Sequence, residues 1–419
     1  MEKEIQVKPM VVPPIENIKV NKTILVYDLP AGDDYIVTLP VWGYANYYVN
    51  WGDGNHTETF TTDTVSQSNF PSRNLAGGRK YTIKLWGKIW RYGEYGVGSN
   101  QYLIEVKKIG PLDLTYAFAQ ASNLVKVPQR LPHGVYDLSG MFRDCSAFNH
   151  PIDKWDVSSV TNMADMFDNA ISFNQSLNKW DVSSVTNMAD MFYNATSFNQ
   201  SLNKWDVSHV ETMDEMFQGA TSFNQPLNNW DVSSVQYMNY MFQGATSFNQ
   251  PLNNWVLSTS NTNLSYMFSG ASNFNQPLNN WNVSNVTNMS SMFKNAISFN
   301  QPLNNWNVSN VTNMSSMFKN AISFNQPLHN WNWTRITTQY STENMLDYCG
   351  MSQYNYQLTL MGWYNIFNAN ILSPTGISFG AKGLVYNNDR IIINPDPLVT
   401  AHDNGYFTPL NDIAVSFDL

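Results

Sequence analysis

Charge is scarce in this chain. Asp, Glu, Lys and Arg make up 13% of its 419 residues, about half the share of an ordinary soluble domain. Runs of Lys or Arg are missing, and the formal net charge is −9. That balance argues against a nucleic-acid partner, because phosphate binding requires a positive footprint. Long hydrophobic runs are missing too, and no stretch approaches the ~20 apolar residues of a spanning helix. The first residues, Met1-Glu2-Lys3-Glu4-Ile5, lack the apolar centre of a secretory leader. The expectation is a trimmed leader or another route out of the cell, such as packaging in a virus particle. Cysteine occurs twice, which permits one disulfide or none.

The usual marks of chemistry are equally thin. Six histidines (His56, His133, His150, His209, His329 and His402) share no metal-ligand spacing. Paired carboxylates occur at Asp33-Asp34, in a Gly-flanked turn, and at Asp214-Glu215. General acid–base work needs such pairs in a pocket, and solvated positions are expected for both. Asp53, in Trp51-Gly52-Asp53-Gly54, lacks the oxygen-rich loop of a calcium site. No serine stands in a nucleophile elbow and no glycine pattern forms a phosphate loop. The expectation is a chain with no catalytic residue, no cofactor and no metal.

What the chain has in abundance is internal repetition. Trp recurs at 155, 180, 205, 230, 255, 281, 306 and 331, in steps of 25 residues with a single 26. A Met-Phe pair keeps the same phase from Met141-Phe142 to Met317-Phe318, as does a Phe series from Phe148 to Phe324. Within a unit the apolar residues stand mostly three apart (Leu227, Trp230, Val232, Val235, Met238, Met241). That is neither the period of two of a strand nor a long helical pattern. It suits straight pieces and tight turns, with one helical turn at most around Met238 to Phe242. Such a unit cannot close its own core, so neighbours must stack to bury it. The Asn after each Phe is expected to form a side-chain ladder along the stack. Outlying units at Ala117-Phe118 and Met345-Leu346 extend the count to about ten coils. Cys145 and Cys349 occupy the small core slot filled elsewhere by Ala170, Ala195 and Ala220. Eight coils at strand spacing separate them by roughly 40 Å, too far for a disulfide.

The units Phe-Asn-Gln-Pro-Leu-Asn-Asn-Trp-Asp-Val-Ser-Ser-Val and Asn-Met-Ser-Ser-Met-Phe resemble the repeat of bacterial surface lipoproteins in the BspA-like branch of leucine-rich repeats. That resemblance covers about residues 112–350. It implies a right-handed solenoid and a role in attachment to host proteins or to other cells. Relatives also occur in large DNA viruses of protists. Tyr48-Val49-Asn50-Trp51-Gly52-Asp53-Gly54, with Lys80 to Gly87, resembles a PKD-type β-sandwich, and the alternation in Tyr35–Leu39 and Tyr81–Leu85 reads as strands. The segments 351–363 and 377–386 resemble the part that closes the repeats in this family.

The expected fold is therefore mainly β with short helical turns, an LRR-type solenoid preceded by a β-sandwich. Its parts are an N-terminal extension (1–19), a PKD-like unit (20–110), the solenoid (111–350), and a cap and tail (351–419). Residues 388–419 are expected to add strands or a partner-binding tail. Positions that vary between units are expected to face solvent and to be free for function. The pair between the two Met residues and the residue after Met-Phe grade from acidic, through aromatic, to weakly basic (Lys294, Lys319). The candidate partner-binding face is Tyr193, Tyr237, Tyr240, Tyr266, Asp190, Asp214 and Glu215, since exposed Tyr contributes contact area at little rotamer cost. The leading reading is a non-catalytic protein for recognition or adhesion, at the cell surface or outside the cell, whose partners are proteins of a host surface. The alternative is a structural protein of a virus particle with capsid proteins as partners. A carbohydrate-binding module comes third, because Trp is spent on the core. Self-association is compatible with the low charge.

Overall fold

The computed structural model describes residues 22–61, 69–97, 100–332, 335–336, 338–370 and 380–384, with three short strands nearer the C-terminus. The expected extension 1–19 and most of the tail 388–419 lie outside the described residues. The described part is mainly β-strand and hydrogen-bonded turn, with one α-helix and no closed barrel.

Seven strands come first among the described residues: β1 (Thr23–Asp28), β2 (Tyr35–Thr38), β3 (Val41–Asn50), β4 (Glu58–Phe60), β5 (Ser72–Leu75), β6 (Lys80–Tyr92) and β7 (Leu103–Lys108). Five form an antiparallel sheet in the order β4-β3-β6-β1-β7, and β2 pairs with β5. The period-two pattern of β6 places Tyr81, Ile83 and Leu85 in the core, as expected of a half-buried strand. The turn after β3 needs its glycine: Gly52 has φ 73°, and a Cβ there would meet the Thr82 carbonyl at 2.6 Å. Asp53 is occupied structurally, by an ion pair to Arg73 at 2.7 Å and a hydrogen bond from the Asn55 amide.

The sheet continues into the repeats through its edge strand. Val106 N–H donates to the Lys126 carbonyl at 2.8 Å, and Val125 N–H to the Ile104 carbonyl at 3.0 Å. One hydrophobic core runs without a break from Leu25 to Leu384.

Each repeat is one coil laid against the next. Ten coils share a turn that starts at Leu114, Leu138, Met163, Met188, Met213, Met238, Leu264, Met289, Met314 and Thr342, where the fourth residue's N–H closes back on the first residue's carbonyl in nine of the ten (Met166 to Met163, Met345 to Thr342). In the third coil the N–H groups of Met163, Asp165, Phe167 and Asn169 donate to the carbonyls of Asn187, Ala189, Met191 and Tyr193 in the fourth, at 2.8–2.9 Å. The intervening N–H groups of Met166, Asp168 and Ala170 return to Met163, Asp165 and Phe167. The expected helical turn around Met238 to Phe242 is replaced by this alternation. An α-helix needs every N–H for its own chain, and here every second one is committed to the neighbouring coil.

Beside the turn, single-residue parallel bridges join Asp137, Asn162, Asn187, Thr212 and Tyr237, and then Asn263, Asn288 and Asn313. The series is interrupted where the 26-residue repeat inserts a residue between Leu257 and Leu264. The core is stacked ring on ring. Phe192 lies 4.1 Å from Phe198 within a coil and 5.6 Å from Phe167 in the coil before. Trp180 and Trp205 are 6.5 Å apart and within 2° of parallel. Each indole also reaches back, Trp205 Nε1 donating to the Leu177 carbonyl at 3.0 Å. The expected amide ladder is present: Asn174 Oδ1 accepts from both Asn199 N–H and Gln200 Nε2 at 3.0 Å. Cys145 and Cys349 are both buried and free.

The last coil is covered by α1 (Gln353–Asn370) and by residues 380–384, whose carbonyls at Gly380 and Lys382 accept from Leu346 and Tyr348 N–H. The closing segment is thus a helix, which the reading of 351–363 had not specified. Further on, β8 (Val399–His402), β9 (Tyr406–Pro409) and β10 (Val415–Ser416) form a separate antiparallel sheet.

Candidate interaction face

The shared turn contains two residues in the left-handed region. The first stands just before the second Met: Tyr116, Gly140, Asp165, Asp190, Glu215, Tyr240, Tyr266, Ser291, Ser316 and Asn344, all with φ between 54° and 60°. The second is mostly Asn or Gly (Asn169, Asn194, Gly219, Gly244, Gly270, Asn295, Asn320), the residues that tolerate this backbone best. Stacking the coils turns the first set into a column of side chains along one face. Beside it runs the column after Met-Phe: Arg143, Asp168, Tyr193, Gln218, Gln243, Ser269, Lys294 and Lys319.

These variable positions do not stand free in solvent, contrary to the expectation from their variability. Asp168, Ser265, Ser269, Ser290 and Ser291 are buried, and most others are half-buried. The reason is the stacking itself, since neighbours on both sides cover each residue.

Within the columns the acidic group is brought together. Burial pushes Asp190 up to about 7, aided by Glu215, Asp165, Asp214 and Asp168. Burial does the same to Asp168, up to about 7, against the opposing pull of Arg143. Asp214 and Glu215 are raised as well, each chiefly by burial. One end of the group is partly neutralised: Arg143 pairs with Asp165 at 2.7 Å and Asp168 at 3.0 Å, with its guanidinium 4.7 Å from the Tyr95 ring. No ion pair among the described residues reaches Asp190, Asp214 or Glu215.

Tyr240 and Tyr266 come next and form one unit, their rings stacked at 4.6 Å and 8°. Tyr193 sits back beside the acids, with Gln218 Nε2 3.4 Å from its hydroxyl. Tyr237 is 55% exposed but belongs to the bridge column, and no ring contact joins it to the Tyr240–Tyr266 pair. The seven candidate residues therefore divide into an acidic group, a tyrosine pair and two separate tyrosines.

The knot of Arg143, Tyr95 and Tyr116 was missed in the sequence. Tyr116 reaches Asp165 with its hydroxyl at 3.4 Å, across the intervening coil. Gly140 makes that possible, because a Cβ there would lie 2.1 Å from the Tyr116 ring. The available signal was glycine at a slot otherwise filled by side chains. Trp is also not confined to the core: Trp90 is 37% exposed and Trp42 and Trp86 are half-buried on the first sheet.

Among the described residues no group of three or more His, Cys, Asp or Glu side chains is arranged to hold a metal ion, and no helix is long and apolar enough to cross a membrane. A family model described as "Mycoplasma protein of unknown function, DUF285" matches residues 112–212, 177–263 and 258–358. No curated protein and no solved structure matches.

Proposed function

Because this chain belongs to the DUF285 family of Mycoplasma proteins of unknown function, whose model covers residues 112–358, we propose that it is a non-catalytic repeat protein that presents its stacked face to a protein partner. The finer architecture we assign is an LRR-type solenoid related to BspA-like surface repeats, capped by a PKD-like sandwich and by the C-terminal helix. Its place is the cell surface or the medium outside the cell, and its role recognition or adhesion.

The observation that carries this reading is the backbone under the tyrosine pair. Tyr240 and Tyr266 have φ 59° and 57°, where a bulky side chain is strained and Gly or Asn is relaxed. Asn fills the equivalent slot in the tenth coil, at Asn344. Strain of this kind points to side chains kept for what they touch, and half-buried tyrosines are favoured contact residues.

The test separates this role from a structural one. The double variant Tyr240→Asn and Tyr266→Asn should fold at least as stably as the wild type, since it relieves strain. Labelled wild-type protein should be retained on host cells or matrix proteins, and the variant should not. Equal retention of the two proteins would sink the proposal.

A further inference from the structure

Along the two columns the charges are arranged as a mirror about the tyrosine pair. Tyr240 and Tyr266 belong to the sixth and seventh coils. One step outward on one side is the fifth coil, with Asp214 and Glu215, and on the other the eighth, with Lys294. Two steps outward are the fourth coil, with Asp190, and the ninth, with Lys319. Neither Lys294 nor Lys319 takes part in an ion pair among the described residues, and nor do Asp190, Asp214 and Glu215.

The geometry points to a second copy of this chain as the occupant of the face, docked antiparallel about a two-fold axis between the sixth and seventh coils. Such an axis, lying across the stack, brings coil five onto coil eight and coil four onto coil nine. Both columns then keep their lateral positions, so Lys294 meets Gln218 with Glu215 and Asp214 beside it, and Lys319 meets Tyr193 with Asp190 beside it. The two Tyr240–Tyr266 stacks meet at the centre, supplying the aromatic core that two-fold interfaces favour. Every contact occurs twice, which gives four complementary charge clusters.

At the outer edge coil three faces coil ten, placing the exposed Glu343 and buried Asp347 opposite Asp165 and Asp168, a like-charged contact that Arg143, shared by the two aspartates, offsets only in part. Equal spacing on both sides of the axis selects the antiparallel arrangement. A parallel one would set acid against acid. The inference rests on the reading that this face is a recognition surface, and it names the partner.

The experiment is sedimentation equilibrium of the full chain over a concentration series. The wild type should dimerise, more weakly as salt screens the pairs. The charge-reversed variants Lys294→Glu with Lys319→Glu, and Asp190→Lys with Glu215→Lys, should each lose self-association by on the order of a hundredfold. Mixing the two at equal concentration should restore a dimer, because each variant then meets its complement. A wild type that stays monomeric at about 100 µM, or a dimer untouched by both reversals, overturns the inference. A monomer that is still held by host cells through Tyr240 and Tyr266 would overturn the dimer alone, whereas a dimer that no cell retains would overturn only the outward-facing role.

Discussion

Trp363 of the helix α1 donates its indole N–H to the Leu328 carbonyl at 2.9 Å, the same bond that Trp331 makes to Leu303 one coil earlier at 3.0 Å. The helix thus ends the stack by imitating the next coil. Asn355 repeats the imitation, its Nδ2 reaching the Asn325 carbonyl and Oδ1 at 2.8 and 3.0 Å. Trp363→Phe keeps most of the apolar area and removes one of the two hydrogen bonds to the Leu328 carbonyl, which still accepts from Trp331 N–H at 3.0 Å. The expected loss is about 0.5–1.5 kcal/mol, read as faster amide exchange confined to coils nine and ten.

The amide ladder gives a second test. Asn199 Oδ1 accepts from Asn224 N–H and from Gln225 Nε2, both at 3.0 Å. Asn199→Ala orphans both donors at once, with an expected cost of about 1–3 kcal/mol. Asn199→Asp keeps the acceptor oxygen and should cost less. Equal denaturation midpoints for the two variants would contradict the ladder's role.

The interrupted coil holds a polar residue in an apolar column. Asn261 is 1% exposed and occupies the slot of Val160, Val185, Val210 and Val235, and its Nδ2 has no partner. Its Oδ1 accepts from Asn263 N–H at 3.2 Å, on half-buried backbone that water can serve instead. Asn261→Val should therefore stabilise the chain by about 1 kcal/mol, measured as a rise in Tm. A fall would show that the Asn263 bond outweighs the orphaned amide.

Acidity should strengthen the stack before it weakens it. The folded state holds Asp168 and Asp190 up to about 7, above their unfolded range near 3.9. Between these limits the folded chain binds more protons than the unfolded one, so stability falls as pH rises. The contribution is fully present below the unfolded value and is lost as pH passes through about 7. The opposite sign belongs to Asp153, Asp156, Asp206 and Asp231, each lowered first by a hydrogen bond from Lys179, Ser158, Ser208 and Ser233 respectively. Their contribution disappears only as pH drops through their own lower values. Urea midpoints taken from pH 8 to pH 5 should rise, and Asp190→Asn should flatten that slope and raise the midpoint at pH 8.

How much of this was legible beforehand can be judged residue by residue. The locked Trp, Met-Phe and Phe series announced the stacked core, and Trp180 and Trp205 do lie in one continuous column. The same spacing placed Cys145 and Cys349 in small core slots, and both are buried and unpaired. The exposure of the variable slots was misjudged, because variation between copies says that a side chain is dispensable to the core without saying how closely its neighbours cover it. The Arg143 knot escaped because it joins residues 49 apart in sequence, Tyr116 to Asp165, across a glycine whose relevance appears only when three coils are superposed. The helix at 353–370 escaped because its polar and apolar residues follow no clear helical face.

Periodicity in the amino acids settled what repeats: one residue type per slot, a shared core, and coils that must stack because none can bury itself alone. Those are nearest-neighbour facts, and a sequence with period 25 states them directly. Only the three-dimensional arrangement decided which slots share a face, which carboxylates crowd one another, and that Tyr240 meets Tyr266 ring on ring. Such relations depend on turn geometry and on the distance between coils, and no spacing along the chain encodes either.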